Sequence, residues 1–114
     1  MAQEPIVVRI DGAAITDIES FHSLFATTLG FPDFYGRNMD AWIDCLSYLD
    51  DPAAQMTSIH APQGGVITIL IENAEAMKGH CPDVFQAMND CAAFVNYRRA
   101  LKGNAPLLSM AYYA

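Results

Sequence analysis

The sequence predicts an α/β fold, a small three-stranded parallel sheet packed with about four helices, and three observations carry that prediction. Apolar, partly β-branched runs at residues 6–10 (IVVRI), 66–71 (VITILI) and 106–113 (PLLSMAYY) read as strands. The segments between them place apolar residues at helical spacing. No two-residue hairpin turn joins any two of the runs, so strands alternating with helices have to be connected by crossovers and lie parallel.

Each element has its own signals. The first strand is bounded by Pro5 and the turn pair Asp11-Gly12. Thr16 followed by Glu19 forms a capping box for a first helix, whose stripe Ile18, Phe21, Leu24, Phe25 and Leu29 ends at Gly30. An aromatic loop, Phe31 to Arg37, leads to Asn38, an N-cap for a second helix from Met39 to Asp50. Residues 51–65 contain Pro52, Pro62 and Gly64-Gly65 and read as loop with at most a helical turn. The near-continuous run VITILI suits a strand covered on both faces. Asn73 to Gly79 reads as a short helix. Pro82 opens a longer one with the stripe Val84, Phe85, Met88, Ala92, Val95 and with Arg98, Arg99 and Lys102 at its end, before Gly103.

Composition narrows the function classes. The 114 residues suit one domain, residues 1–114, and a content of 53% hydrophobic and 17% charged side chains excludes a disordered chain. Thirteen acids against six bases give −7, a field that repels nucleic-acid backbones and attracts cationic surfaces. The longest apolar run, Val66 to Ile71, is far short of the roughly 20 residues that cross a bilayer. The opening MAQEPIVVRI lacks the pattern of a secretion signal, so the expected address is the cytoplasm. Cys45, Cys81 and Cys91 are odd in number and lack metal-knuckle or redox spacing, so they read as reduced thiols, Cys45 and Cys91 as small buried residues. No glycine-rich phosphate loop is present, and no cofactor or metal is expected.

The chemistry concentrates in residues 34–51, FYGRNMDAWIDCLSYLDD. Met39, Trp42, Ile43, Leu46 and Leu49 form one stripe of the second helix, while Asp40, Asp44, Ser47 and Asp51 fall on another. Like charges one turn apart cost an isolated helix roughly 0.2 to 0.5 kcal/mol, and no Lys or Arg inside the helix relieves them. From Asp33 to Asp51, five aspartates face Arg37 alone, which leaves four of the net negative charges in about a sixth of the chain. Such a stripe can be a solvated surface, a catalytic carboxylate pair, part of a cation site, or a surface for a cationic partner. A catalytic pair needs one buried, protonated carboxyl, for which the flanking residues give no sign. A hard cation wants six or more oxygens, and the usual Asp-rich loop is missing. A Cys–His nucleophile finds no local support, because Cys45 sits within an apolar helix pattern and His22 falls mid-helix.

The order Ile10-Asp11-Gly12, a helix containing His22, then Pro32 and FYGRNMDAWIDCL resembles the barstar family of ribonuclease inhibitors over about residues 6–47. The resemblance implies a non-enzymatic inhibitor, a monomer when free, whose second helix and preceding loop enter a ribonuclease's cationic active site with carboxylates in place of RNA phosphates. It implies Asp44 as the central anchor and Asp40 beside it, with Phe34, Tyr35, Gly36 and Asn38 shaping the adjoining loop. Tyr48 would lie close to them. The run Val84-Phe85-Gln86 places Asp90 at an acidic position of the family's last helix. The implied partner is a small basic ribonuclease of the extracellular or toxin type, or, if the chain serves as an immunity protein or regulator, some other protein. The family pattern has tyrosine where this chain has Phe34, tryptophan at Ile43, and glycine then tryptophan at Tyr48 and Leu49.

Overall fold

Ile6–Asp11 (β1), Ile67–Glu72 (β2) and Leu108–Tyr112 (β3) pair in that order into one parallel sheet. In the computed structural model, which describes residues 6–62 and 64–114, the connections are filled by Ile18–Leu29 (α1), Met39–Ser47 (α2), Ala74–His80 (α3) and Pro82–Leu101 (α4). Single 3-10 turns occur at Gly12–Ala14 and Pro52–Ala54. This is the predicted α/β architecture. Pro5 and the first half of the stretch MAQEPIVVRI, residues 1–5, lie outside the described residues.

The register sets Val8 beside Ile69 and Met110, and Ile10 beside Ile71 and Tyr112, so alternate side chains of three strands form one apolar layer. Val8, Ile10, Ile67, Ile69 and Ile71 are buried in it. The other face is only half covered, contrary to the expectation for VITILI. Along β2, buried residues alternate with half-buried ones, and on β1 Val7 is exposed. Leu70 on that second face is flanked by Arg9 and Ala111 of its neighbouring strands.

The cap of α1 differs from the Thr16/Glu19 box. Asp17 is the N-cap, accepting from the Ser20 amide at 2.8 Å, while the Ser20 hydroxyl accepts from the Asp17 amide at 3.1 Å. A serine three residues on returns the bond as well as a glutamate would, and Glu19 is released for another contact. At the other end, Gly30 takes the left-handed conformation that closes the helix (φ 68°). A Cβ there would lie 2.1 Å from the Ser58 hydroxyl, which is drawn in because Ser58 donates its amide to Leu29 O at 2.8 Å. Gly12 is needed for a similar reason: a Cβ would meet the carbonyls of Asn73 and Glu72 at 2.7 and 2.8 Å.

α2 packs onto α1 through Trp42, fully buried with its ring 5.8 Å from Phe21 and 5.5 Å from Phe25. Ile43, Cys45, Leu46 and Leu49 complete the buried side. The helix stops at Ser47, three residues before the predicted Asp50. Tyr48 and Leu49 donate their amides to carbonyls three residues back, Cys45 and Leu46, a tightened last turn, and Pro52 prevents continuation. Asp51 is therefore not on the helix face that contains Asp40 and Asp44. The remaining elements lie within two residues of their predicted bounds. Cys45 is buried as expected, whereas Cys91 is half-buried.

Candidate functional site

α2 begins where Asn38, in extended backbone, accepts from the Ala41 amide at 2.8 Å. Its side-chain amide donates to Gly36 O at 3.4 Å, so one residue both starts the helix and closes the loop in front of it. From that start, one turn separates Asp40 from Asp44, and the next turn brings Tyr48. All three are exposed on the side opposite Trp42. Asp40 lies in the first turn, where the helix dipole favours negative charge; Asp44, mid-helix, gains less.

The ion pairs among the described residues are Arg9–Glu72, Arg37–Glu19 and Arg99–Asp50. None involves Asp40 or Asp44. Arg37, the one base in the acidic stretch, adopts a left-handed backbone (φ 55°) and turns toward α1. There it donates to Ser23 Oγ at 2.9 Å and to Glu19 Oε2 and the Glu19 carbonyl at 3.2 Å. The nearest candidate for neutralising the stripe is thus spent elsewhere.

The loop before α2 has an inner and an outer side. Tyr35 is half-buried, shares a hydrogen bond with His22 Nδ1, and packs its ring 4.7 Å from Phe31 and 5.6 Å from His22. Burial, then the Arg37 charge, lowers the His22 pKa, so the imidazole is neutral. Burial raises the Tyr35 hydroxyl far above its ordinary range. His22 and Tyr35 therefore act as an uncharged clamp that fixes the loop to α1. Phe34, next in sequence, is 76% exposed. Between them and α2 lies a shallow depression of about 160 Å³, lined by Phe34, Tyr35, Gly36, Asp44, Cys45 and Met56. Burial, and then the Asp44 charge, push the Cys45 thiol at this site up to about 11, which leaves it un-ionised and unreactive near neutral pH.

Asp90 is exposed on α4 and accepts from Gln86 Nε2 at 2.9 Å. Burial, and then the charges of Asp90 and Asp40, raise the pKa of its neighbour Cys91. Phe34, Gly36, Asp40, Asp44, Tyr48 and Asp90 are thus exposed, whereas Tyr35 and the oxygen of Asn38 are engaged within the protein.

Three contacts of the site carry no sequence signal. Met56 reaches the depression from the irregular segment after α2, and nothing in a loop without periodicity marks a residue for burial. His22 was readable as a mid-helix histidine, but its pairing with Tyr35 spans 13 residues of chain. Arg98 donates to Ser47 Oγ at 3.3 Å, which brings the basic end of α4 against the end of α2.

Among known families, the model described as Barstar (barnase inhibitor) matches residues 6–106. The chain belongs to the barstar family. A curated Bacillus subtilis (strain 168) protein, printed as "Putative ribonuclease inhibitor YrdF", is 50% identical over 40 residues. That stretch is 35% of this chain and 44% of the relative, less than half its length. The three parallel strands and four helices agree with the barstar-like α/β fold. Among the described residues, no group of three potential ligands could hold a metal ion, and no helix is long and apolar enough to cross a membrane.

Family membership also sorts the four departures from the barstar pattern. Ile43 and Leu49 are buried, so their change from tryptophan alters the interior. Phe34 and Tyr48 are exposed, so their change alters the surface a partner would meet.

Proposed function

We propose that this chain is a non-catalytic, stoichiometric inhibitor of a small basic ribonuclease of the extracellular or toxin type, acting in the cytoplasm of the cell that makes it. Asp40 and Asp44 take the places of RNA phosphates in the enzyme's cationic cleft and so exclude substrate. Phe34, Gly36 and Tyr48 border the contact, Tyr35 and Asn38 hold its shape from within, and Asp90 adds a charge from α4. The observation that carries the reading is that Asp40 and Asp44 are exposed with no ion-pair partner among the described residues, while Arg37 is bound to α1. An uncompensated like-charge pair costs the helix stability, and a cationic partner turns that cost into attraction.

The carboxylate-pair hydrolase finds less support. Asp44 borders a depression whose lining does not include Asp40, and its volume of about 160 Å³ is below the roughly 300 Å³ at which ligand sites begin. Exposed Phe34, which lacks the phenolic hydroxyl of the family pattern, and the added ring of Tyr48 favour a ribonuclease other than barnase, since both replace groups on the contact surface. An inhibition assay against a panel of small microbial ribonucleases, barnase included, tests the proposal. The wild type is expected to inhibit at least one of them stoichiometrically, and the Asp40→Ala/Asp44→Ala variant is expected to lose that inhibition while keeping its fold. Equal inhibition by both proteins would refute it.

A further inference from the structure

The chain has six basic side chains, and half of them line one cleft. Arg98, Arg99 and Lys102 from the end of α4 face Ser47, Tyr48 and Asn104 across an open space of about 120 Å³. Arg99 is committed to the fold: it pairs with Asp50 at 3.0 Å, and its Nε donates to Ala105 O at 2.7 Å. Arg98 meets only neutral groups, the Ser47 hydroxyl at 3.3 Å and the Phe94 ring, 5.6 Å from its guanidinium carbon. Lys102 is exposed and, among the described residues, pairs with no carboxylate. Two uncompensated cations therefore open onto solvent in a protein of net charge −7, next to Tyr48 and so at the edge of the acidic face of α2.

Favourable placement at a helix C-terminus explains why cations are tolerated there, but not why they converge with a hydroxyl and an amide on one concavity. A water's share of liquid volume is about 30 Å³, so the space is several waters in size and admits a carboxyl head group. The guanidinium fork matches a carboxylate, and the lysine adds a second charge.

We infer that this cleft receives a carboxylate side chain of the partner ribonuclease, held between Arg98 and Lys102, while Asp40 and Asp44 occupy the enzyme's basic cleft. The inference rests on the inhibitor reading and adds a specificity element to it. The partner needs an acidic side chain at the rim of its basic cleft, and the adjacent patches of opposite sign fix the register in which the two surfaces meet.

Rates of association and dissociation test this with whichever ribonuclease of the panel the wild type inhibits most strongly. Asp44→Ala, Lys102→Glu and Arg98→Glu/Lys102→Glu are measured in parallel. Overall charge argues that the two reversals, which make the inhibitor more acidic, bind a basic enzyme faster and at least as tightly. The cleft argues the opposite for dissociation, which is expected to be at least tenfold faster in the double variant and several-fold faster in Lys102→Glu. The single variant breaks no internal hydrogen bond and is expected to melt like the wild type. Wild-type or slower dissociation of both reversals, with Asp44→Ala weakened, overturns the cleft and leaves the inhibitor reading intact. Failure to bind any ribonuclease, or an Asp44→Ala variant that binds like the wild type, overturns the inhibitor reading and this inference with it.

Discussion

Asp44 stands on the outer face of α2 and forms no ion pair among the described residues, whereas Asp50, six residues on, is drawn into an ion pair with Arg99 at 3.0 Å. The Asp50 and Arg99 side chains retain 29% and 17% of their exposure, so solvent screens that pair less than one at the surface. One aspartate serves the fold, joining the segment after α2 to α4, and the other is exposed without an ion pair among the described residues. The same division separates the two tyrosines that flank the site. Tyr35 spends its hydroxyl on His22, while Tyr48 is 44% exposed. Local charge is compensated where elements must be held together and uncompensated where a surface is presented.

The comparison breaks most sharply at Asp44. Asp44→Ala is expected to weaken binding to the cognate ribonuclease by at least about 2–5 kcal/mol, the range for removing one partner of a buried, hydrogen-bonded charge pair. Its melting temperature is expected to be unchanged or slightly raised, because the Asp40–Asp44 repulsion disappears. Titration calorimetry of the complex and thermal unfolding of the free protein check the two halves. Raising ionic strength sharpens the same point kinetically. Association is expected to slow about tenfold between low and moderate salt, with a smaller change in dissociation, since long-range attraction is screened and short contacts are not. Stopped-flow mixing at several salt concentrations shows which rate moves.

Asp50→Asn is the mirror-image change. It keeps the shape of the side chain, removes the charge facing Arg99, and is expected to cost about 1–2 kcal/mol of folding stability in denaturant titration. Affinity for the ribonuclease is expected to be little changed.

The smallest effect concerns the inner clamp. His22 has a folded pKa below its ordinary 6.5, because burial and then Arg37 oppose its charge. Below pH 6.5 the unfolded chain binds more protons at this site than the folded one, so the contribution of neutral His22 is complete above that pH and declines as pH falls. His22→Gln is expected to flatten the fall in stability between pH 6.5 and 5.5 by up to about 1 kcal/mol, seen by comparing unfolding curves of the two proteins across that interval.

Much of this architecture is readable in the chain itself. The strands at residues 6–10 and 66–71 carry their own apolar runs, and Gly30, Asn38 and Pro82 punctuate helices through backbone geometry that acts within one turn. The buried stripe of α2 and the aspartates opposite it follow from helical period alone. Two departures share one cause. The sequence pattern places the α1 cap at Thr16 and Glu19, where Asp17 and Ser20 compete for the same first turn, and it runs α2 on to Asp50, where a tightened turn leaves Leu49 buried without a helix. Both are choices between near-equal local bonds, and the surrounding packing makes the choice.

The amino-acid sequence by itself determined the order of elements, the acidic stripe with Asp40 and Asp44, and the family it resembles, because periodicity, turn chemistry and charge spacing operate over a few residues. Only the tertiary structure decided which charges remain unpaired. Arg37 meets Glu19 across 18 residues of chain and Arg98 meets Ser47 across 51. Contacts between residues so far apart in sequence exist only once the helices have packed, and they are what leaves Asp40 and Asp44 uncompensated and gathers Arg98, Arg99 and Lys102 around one cleft.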